Sequence, residues 1–182
     1  MPSSDPITIP KVLKLVTTLK PYSILDIGCG NGRYGMLFRE VFDLNYGRMD
    51  KDRWQITIDA VEVEETYITP VHKYVYDHVI IGDWLNTNVG SYDIVFMGDV
   101  LEHFTNWKHA LSKAKQSGDV VIVVAPNWQG SINQGAWFGN EYEAHQVELT
   151  PSMVGGKCVY ANSKCFITVF GEGLINHRDI LL

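Results

Sequence analysis

Apolar positions alternate along the chain between helical spacing and short continuous runs. Val12, Leu13, Leu15, Val16 and Leu19 repeat with a period of about 3.6 behind Pro10, which suits a first helical turn, and Pro21 stops the pattern. Ser23–Ile27 then reads as a short buried strand that runs into Gly28-Cys29-Gly30-Asn31-Gly32, with a helix from Arg33 to Phe42. The polar stretch 43–53 reads as a loop broken at Gly47. Gln55–Val61 predicts a second strand, and Glu64–Tyr76 a helix kinked or broken at Pro70. His78–Ile81 and Tyr92–Met97 predict the third and fourth strands. Asn106 can cap a helix over Trp107–Gln116 with Gly118 just past its end, and Val120–Val124 is apolar throughout, as in a strand covered on both faces.

A helix followed by five strand–helix units indicates parallel βαβ construction. The expected fold class is therefore α/β, a doubly wound, mostly parallel sheet in one domain over residues 1–182. After the fifth strand the pattern changes. Residues 126–145 form a long connection with little periodicity, carrying Trp128, Trp137, Phe138 and Tyr142, too aromatic for plain disorder; connections of that length are usually functional. Thr150-Pro151 can open a very short helix, stopped at Gly155-Gly156. Lys157–Ala161 and Cys165–Phe170, joined by Asn162-Ser163-Lys164, read as a hairpin that brings an antiparallel strand to the sheet.

Composition narrows the function. Hydrophobic residues make up 46% of 182 and charged residues 20%, which fits a globular chain with an adequate core. The net charge of -6 argues against a partner held mainly by basic charge, so no nucleic acid is expected. The 3 cysteines are too few and scattered for a disulfide framework or zinc site. The first residues lack a signal-peptide pattern and no apolar run is long enough to span a bilayer. A cytoplasmic, soluble protein without a membrane partner is expected. The tail 171–182 ends in Ile180-Leu181-Leu182, which can cover the domain or meet a neighbour, so oligomeric state stays open.

Candidate chemistry gathers at strand ends. The glycines at 28, 30 and 32 allow a sharp strand-to-helix turn and let a ligand lie against the main chain. A dinucleotide fingerprint needs glycine at 28, 30 and 33, and position 33 is Arg33. Asp26, just ahead of the turn, is unwelcome beside a pyrophosphate and suits a cationic ligand. Glu62 closes the second strand, where a carboxylate can accept both ribose hydroxyls. Asp83 and Trp84 follow the third strand, placed to take an adenine amino group and to pack on its ring. Gly98, Asp99, Glu102 and His103 follow the fourth.

Taken in order, Leu25 to Gly32, Val61-Glu62, Gly82-Asp83 and Tyr92 to His103 resemble the class I S-adenosylmethionine-dependent methyltransferases. The resemblance implies a Rossmann-like seven-stranded sheet of order 3-2-1-4-5-7-6 with the last strand antiparallel. It also implies S-adenosylmethionine as cofactor. Asp26, Gly28, Cys29, Gly30 and Gly32 would hold its methionine end, Glu62 its ribose, and Asp83 with Trp84 its adenine, while Gly98 and Asp99 would line the crevice near the sulfonium. The insertion at 43–54 lengthens the gap from Gly32 to Glu62 and leaves Glu64 as the other ribose candidate.

Methyl transfer is an in-line displacement that needs alignment and exclusion of water, and a general base only for a protonated acceptor. His145 and His103 are the candidates for that base, with docking roles as the competing reading. Glu141, Glu143 and His145 lack a fourth ligand, so no metal is assigned. Residues 126–145 are the expected acceptor-recognition loop, with Asn127, Gln129, Asn133, Gln134 and Asn140 as hydrogen-bonding groups. The expected function is transfer of a methyl group to a small-molecule or sugar-like acceptor. Two other readings stay open: a non-catalytic S-adenosylmethionine-binding module, and a nicotinamide-dependent oxidoreductase.

Overall fold

A computed structural model describes residues 5–127, 130–133, 135–136 and 139–171. Strands β1 (Ser23–Ile27), β2 (Thr57–Glu62), β3 (Val79–Ile81), β4 (Tyr92–Gly98), β5 (Gly118–Pro126), β6 (Lys157–Ala161) and β7 (Cys165–Phe170) form one 7-stranded sheet of order β3-β2-β1-β4-β5-β7-β6. The pairs among β1 to β5 are parallel, whereas β7 runs antiparallel to β5 and to β6. This is the expected order and hairpin. Because β1 sits between β2 and β4, the chain reverses direction of winding there, and a crevice opens at the carboxyl ends of those strands.

Two layers of helix cover the sheet. Helices α1 (Ile9–Leu19), α2 (Arg33–Phe42) and α3 (Pro70–Val75) lie on one face, where Val12, Val16, Phe38 and Val75 pack on Ile24, Ile58, Ile94, Phe96 and Ile122. Helices α4 (Trp107–Ser117) and α5 (Pro151–Val154) lie on the other, where Ala110, Leu111, Ala114 and Val154 join Leu25, Ile27, Val95, Met97, Val121 and Val123. Successive strand residues point to opposite faces. Both faces are apolar here, so the inner strands read as continuous hydrophobic runs.

Three local expectations are corrected. Residues 64–76 do not form one bent helix: a 3-10 turn at Glu65–Tyr67 precedes α3, which begins at Pro70. Proline has no N–H to donate and a preset φ, so it opens a helix more readily than it continues one. The five-unit pattern predicted a helix between β3 and β4, but only a 3-10 turn at Trp84–Asn86 is found. The loop 43–53 is not a plain polar loop. It contains 3-10 turns at Leu44–Tyr46 and Lys51–Arg53 and is pinned by buried charge. Arg39, fully buried in α2, pairs with Asp43 at 2.6 Å and with Asp77 at 3.0 Å. Its guanidinium also donates to the Val75 and Ile56 carbonyls and lies 3.6 Å from the centre of the Trp54 ring. Asp43 in turn takes the Gln55 amide and the Arg48 guanidinium, both from the loop's far side.

No helix among the described residues is long and apolar enough to cross a membrane. Met1–Ser4, Trp128, Gln129, Gln134, Trp137, Phe138 and the tail from Glu172 lie outside the described residues.

Candidate active site

The turn after β1 is built by glycine. Gly28, Gly30 and Gly32 have φ of 68, 52 and 77, a region open to glycine and strained for other residues. The Gly28 amide donates to the Val61 carbonyl at 2.8 Å, which ties the ends of β1 and β2 together. Buried His72 supports the turn from below. Its Nε2–H donates to the Gly30 carbonyl at 2.8 Å, while its Nδ1 accepts the Thr69 amide. No local sequence pattern links His72, carried by α3, to the glycine turn; the match exists only in three dimensions.

Beside this turn lies a cavity of about 360 Å³ at the carboxyl ends of β1, β2 and β4. That volume suits a small cofactor. Its carboxylates are Glu62, Asp83, Asp99 and Glu143, and no lysine or arginine is among its described lining residues. The potential inside is therefore negative. Glu62 closes β2 as expected: Oε2 accepts the Gly30 amide at 2.7 Å and Oε1 the Glu64 amide at 3.0 Å. Burial raises its pKa, partly offset by those backbone N–H groups. A carboxylate has about four acceptor positions, so Glu62 retains capacity for further donors. Glu64, the other candidate, is used locally to cap Thr66.

The remaining expected site residues divide in two. Gly28, Gly30, Asp83, Trp84, Asp99 and His103 line the cavity. Asp83 also caps the following turn, accepting from the Leu85 amide at 3.0 Å and the Asn86 side chain at 2.6 Å. Trp84 is only 2% exposed; its indole N–H donates to the Ala110 carbonyl and Lys113 lies over its ring, so it is chiefly a core residue. Asp99 has a φ of 48, an uncommon non-glycine value that turns the chain at the end of β4.

Asp26, Cys29, Gly32, Gly98 and His145 are not among the lining residues. Asp26 lies beneath the turn with Oδ2 accepting the Tyr76 hydroxyl at 2.6 Å, and burial pushes its pKa up to about 7. Asp26, expected at the methionine end of the cofactor, shares its strand face with Ile24 and makes this internal contact to Tyr76. Cys29 is buried in the same core, and desolvation pushes its thiol up strongly. Gly32 caps α2 against His72, and a side chain at Gly98 would meet Phe96.

Tyr67, which the sequence did not single out, and Glu143 meet at the cavity edge. The Tyr67 hydroxyl donates to Glu143 Oε1 at 2.6 Å and accepts from Asn140 Nδ2 at 2.8 Å, joining the segment before α3 to the segment 140–143. Burial raises the Tyr67 hydroxyl to about 12, so it stays protonated. Asn127, expected to recognise acceptor, ties β5 to the hairpin by donating to the Asn162 carbonyl.

Next to the cavity wall, His103 and His145 stand with ring centroids 4.9 Å apart. His103 Nδ1–H donates to the Ala144 carbonyl at 3.1 Å. Burial lowers the pKa of both histidines, and His103 lowers that of His145 further, to about 4. Buried Glu102 lies between them, its pKa driven upward first by desolvation and then by Asp99.

Comparison with known proteins sets these features in context. Residues 8–148 match the sequence profile of a family described as a methyltransferase domain. No curated protein matches by sequence. Among solved structures, the N-terminal domain of EvdMO1 with SAH bound is similar at a TM-score of 0.61 and 12% identity, over 91% of this chain and 80% of that one. The plantazolicin methyltransferase BamL, in complex with a desmethylPZN analog and SAH, matches at 0.58 and 18%, over 80% of this chain and 58% of that one. CalS10, a SAM-bound amino pentose methyltransferase from Micromonospora echinaspora, matches at 0.52 and 12%, over 68% and 51%. At these identities the likeness is one of fold, and this chain spans little more than half of the latter two proteins. With most of its length under the family profile and the sheet order in agreement, the chain belongs to the methyltransferase domain family.

Proposed function

We propose that the protein is an S-adenosylmethionine-dependent methyltransferase acting on a small-molecule or sugar-like acceptor. The observation that carries this reading is Glu62, held at the end of β2 by the Gly30 and Glu64 amides inside an acidic cavity. The donor set fits such a ligand. Carboxylates with no lysine or arginine among the described lining residues favour a sulfonium and an ammonium over a pyrophosphate. Ile27, Val61 and Leu85 supply apolar wall for a purine, and Glu62 keeps acceptor capacity for ribose hydroxyls.

When bound, S-adenosylmethionine supplies a methyl group already activated on sulfur. The chain's residues then have three tasks. Gly28 and Gly30 turn the chain so that their main chain borders the cavity, with Val100 packed against Gly28. Asp83 and Glu62 orient the nucleoside, with Asp99 facing the cavity where β4 ends. The Tyr67–Glu143–Asn140 link holds two segments together at the mouth and limits water. In the displacement, an acceptor lone pair forms the bond to the methyl carbon as the carbon–sulfur bond breaks onto sulfur, and an acceptor proton, where present, must leave. His103 is the histidine on the cavity wall, while His145 stands behind it, too weakly basic near neutrality to be an effective general base. The plantazolicin and amino pentose acceptors named for two similar structures support a small acceptor here.

The test is calorimetric titration with S-adenosylhomocysteine, followed by incubation of labelled S-adenosylmethionine with a metabolite extract. Binding with label transfer to a small compound is expected. Binding without any transfer favours the non-catalytic module, and no binding at millimolar ligand rejects the reading.

A further inference from the structure

Glu102 and His145, for which the reading above has no use, form a cluster with His103. Each offers a ligand atom, and these atoms lie within 4.8 Å of one another. Glu102 Oε1 is 3.9 Å from His103 Nε2 and 3.9 Å from His145 Nε2, too far for a hydrogen bond. The side chains of Glu102 and His145 are 1% and 5% exposed. Glu102 Oε2 and His145 Nδ1 have no hydrogen-bond partner among the described residues. A buried carboxylate left in this state is costly, and it lies near two further acids, Asp99 and Glu143.

The surroundings hold these groups in place. His103 Nδ1–H donates to the Ala144 carbonyl, which leaves the Nε2 lone pair directed at the cluster. A backbone carbonyl on the far ring nitrogen is the usual outer support of a metal-binding histidine. The Gln146 and Val147 amides both donate to the Glu102 carbonyl, at 2.8 and 3.3 Å, so the segment bearing His145 is tied to the turn bearing Glu102 and His103. Three lone-pair donors thus converge with no lysine or arginine ion pair to them among the described residues.

We propose that Glu102, His103 and His145 bind a divalent transition-metal ion, as a two-histidine, one-carboxylate site beside the cavity wall. Imidazole and carboxylate together suit Zn²⁺ or Mn²⁺, and imidazole disfavours Mg²⁺. Metal–ligand bonds of about 2.0–2.2 Å require the three groups to close by roughly 1 Å, within reach of side-chain rotation. Three protein ligands leave coordination positions open. What fills them rests on the methyltransferase reading: His103 lines the cavity, so the open side takes an acceptor oxygen. An alcohol on such an ion is acidified and releases its proton to water, which removes the need for a histidine base and makes the acceptor class hydroxyl rather than amine.

The experiment is titration of the full chain, stripped with a chelator, with Zn²⁺, Mn²⁺ and Mg²⁺ separately, alongside S-adenosylhomocysteine. One Zn²⁺ or Mn²⁺ per chain is expected, weakened about tenfold or more in His145→Ala and in Glu102→Gln. S-adenosylhomocysteine affinity in His145→Ala should stay within about twofold of the unsubstituted chain, since His145 is outside the cavity lining. Should His145→Ala not fold, Glu102→Gln carries the comparison. No saturable uptake, uptake unchanged in the variants, or preference for Mg²⁺ overturns the proposal. Nucleoside binding without ion uptake rejects the ion site alone; ion uptake without nucleoside binding rejects the methyltransferase reading and leaves the ion site standing.

Discussion

Glu62 does two jobs at once, since its oxygens take the Gly30 and Glu64 amides while facing the cavity. Removing it withdraws a charged hydrogen-bond acceptor worth about 1.5–3 kcal/mol. Glu62→Ala should therefore weaken S-adenosylhomocysteine binding about 10- to 100-fold by calorimetry; an unchanged affinity would exclude Glu62 from the nucleoside site. Asp26 answers differently. Its pKa is raised to about 7, chiefly by burial, so the favourable neutral form is present below the unfolded value and is lost as pH rises from about 4 to about 7. The Asp26→Asn side chain still accepts from Tyr76 without taking on charge. At pH 8 it should be more stable than the unsubstituted chain by on the order of 2–4 kcal/mol, the gap shrinking toward pH 4. Urea unfolding across that range checks the sign. The inward direction of Asp26 was legible in the strand period, because it alternates with Leu25 and Ile27 and shares the face of Ile24; its partner Tyr76, carried in from beyond α3, was not.

Between elements, the organising contact is Arg39 rather than any residue singled out by motif. It sits in α2, pairs with Asp43 and Asp77, and reaches carbonyls of Ile56 and Val75, so it joins α2, the loop 43–54, β2 and α3. Arg39→Ala takes one cation from buried Asp43 and the ion pair from Asp77, leaves the Val75 and Ile56 carbonyls without their donor, and should cost about 3–5 kcal/mol in chemical denaturation. A loss under about 1 kcal/mol would mean the network is dispensable. No sequence pattern announced this, since an arginine at position 39 reads as a solvated face. Long-range partners of charged residues are not encoded in local periodicity. By contrast α1, α2, α4, β1 and the β6–β7 hairpin were legible, because apolar spacing, Asn106 and the glycines act within a few residues. The helix expected between β3 and β4 was not formed, and the one over 64–76 begins only at Pro70, where proline governed the backbone.

For the molecule as a whole, the winding of β1 between β2 and β4 brings Gly28, Glu62, Asp83 and Asp99 to one cavity from four separate strand ends. That convergence was readable from motif order. The closing groups Tyr67 and Glu143, and the convergence of Glu102 with His145, were not, because they depend on how two irregular segments dock. A ligand that binds only the folded chain stabilises it by about 2.7 kcal/mol at a hundredfold excess over its Kd. For a chain of this size, S-adenosylhomocysteine should raise Tm by roughly 5–10 °C under that condition. The most direct measurement is calorimetric titration of the unsubstituted chain with S-adenosylhomocysteine and, in parallel, with NADH. Saturable binding of one S-adenosylhomocysteine per chain with no heat from NADH is the predicted result; NADH binding, or silence from S-adenosylhomocysteine up to millimolar concentration, would contradict the account.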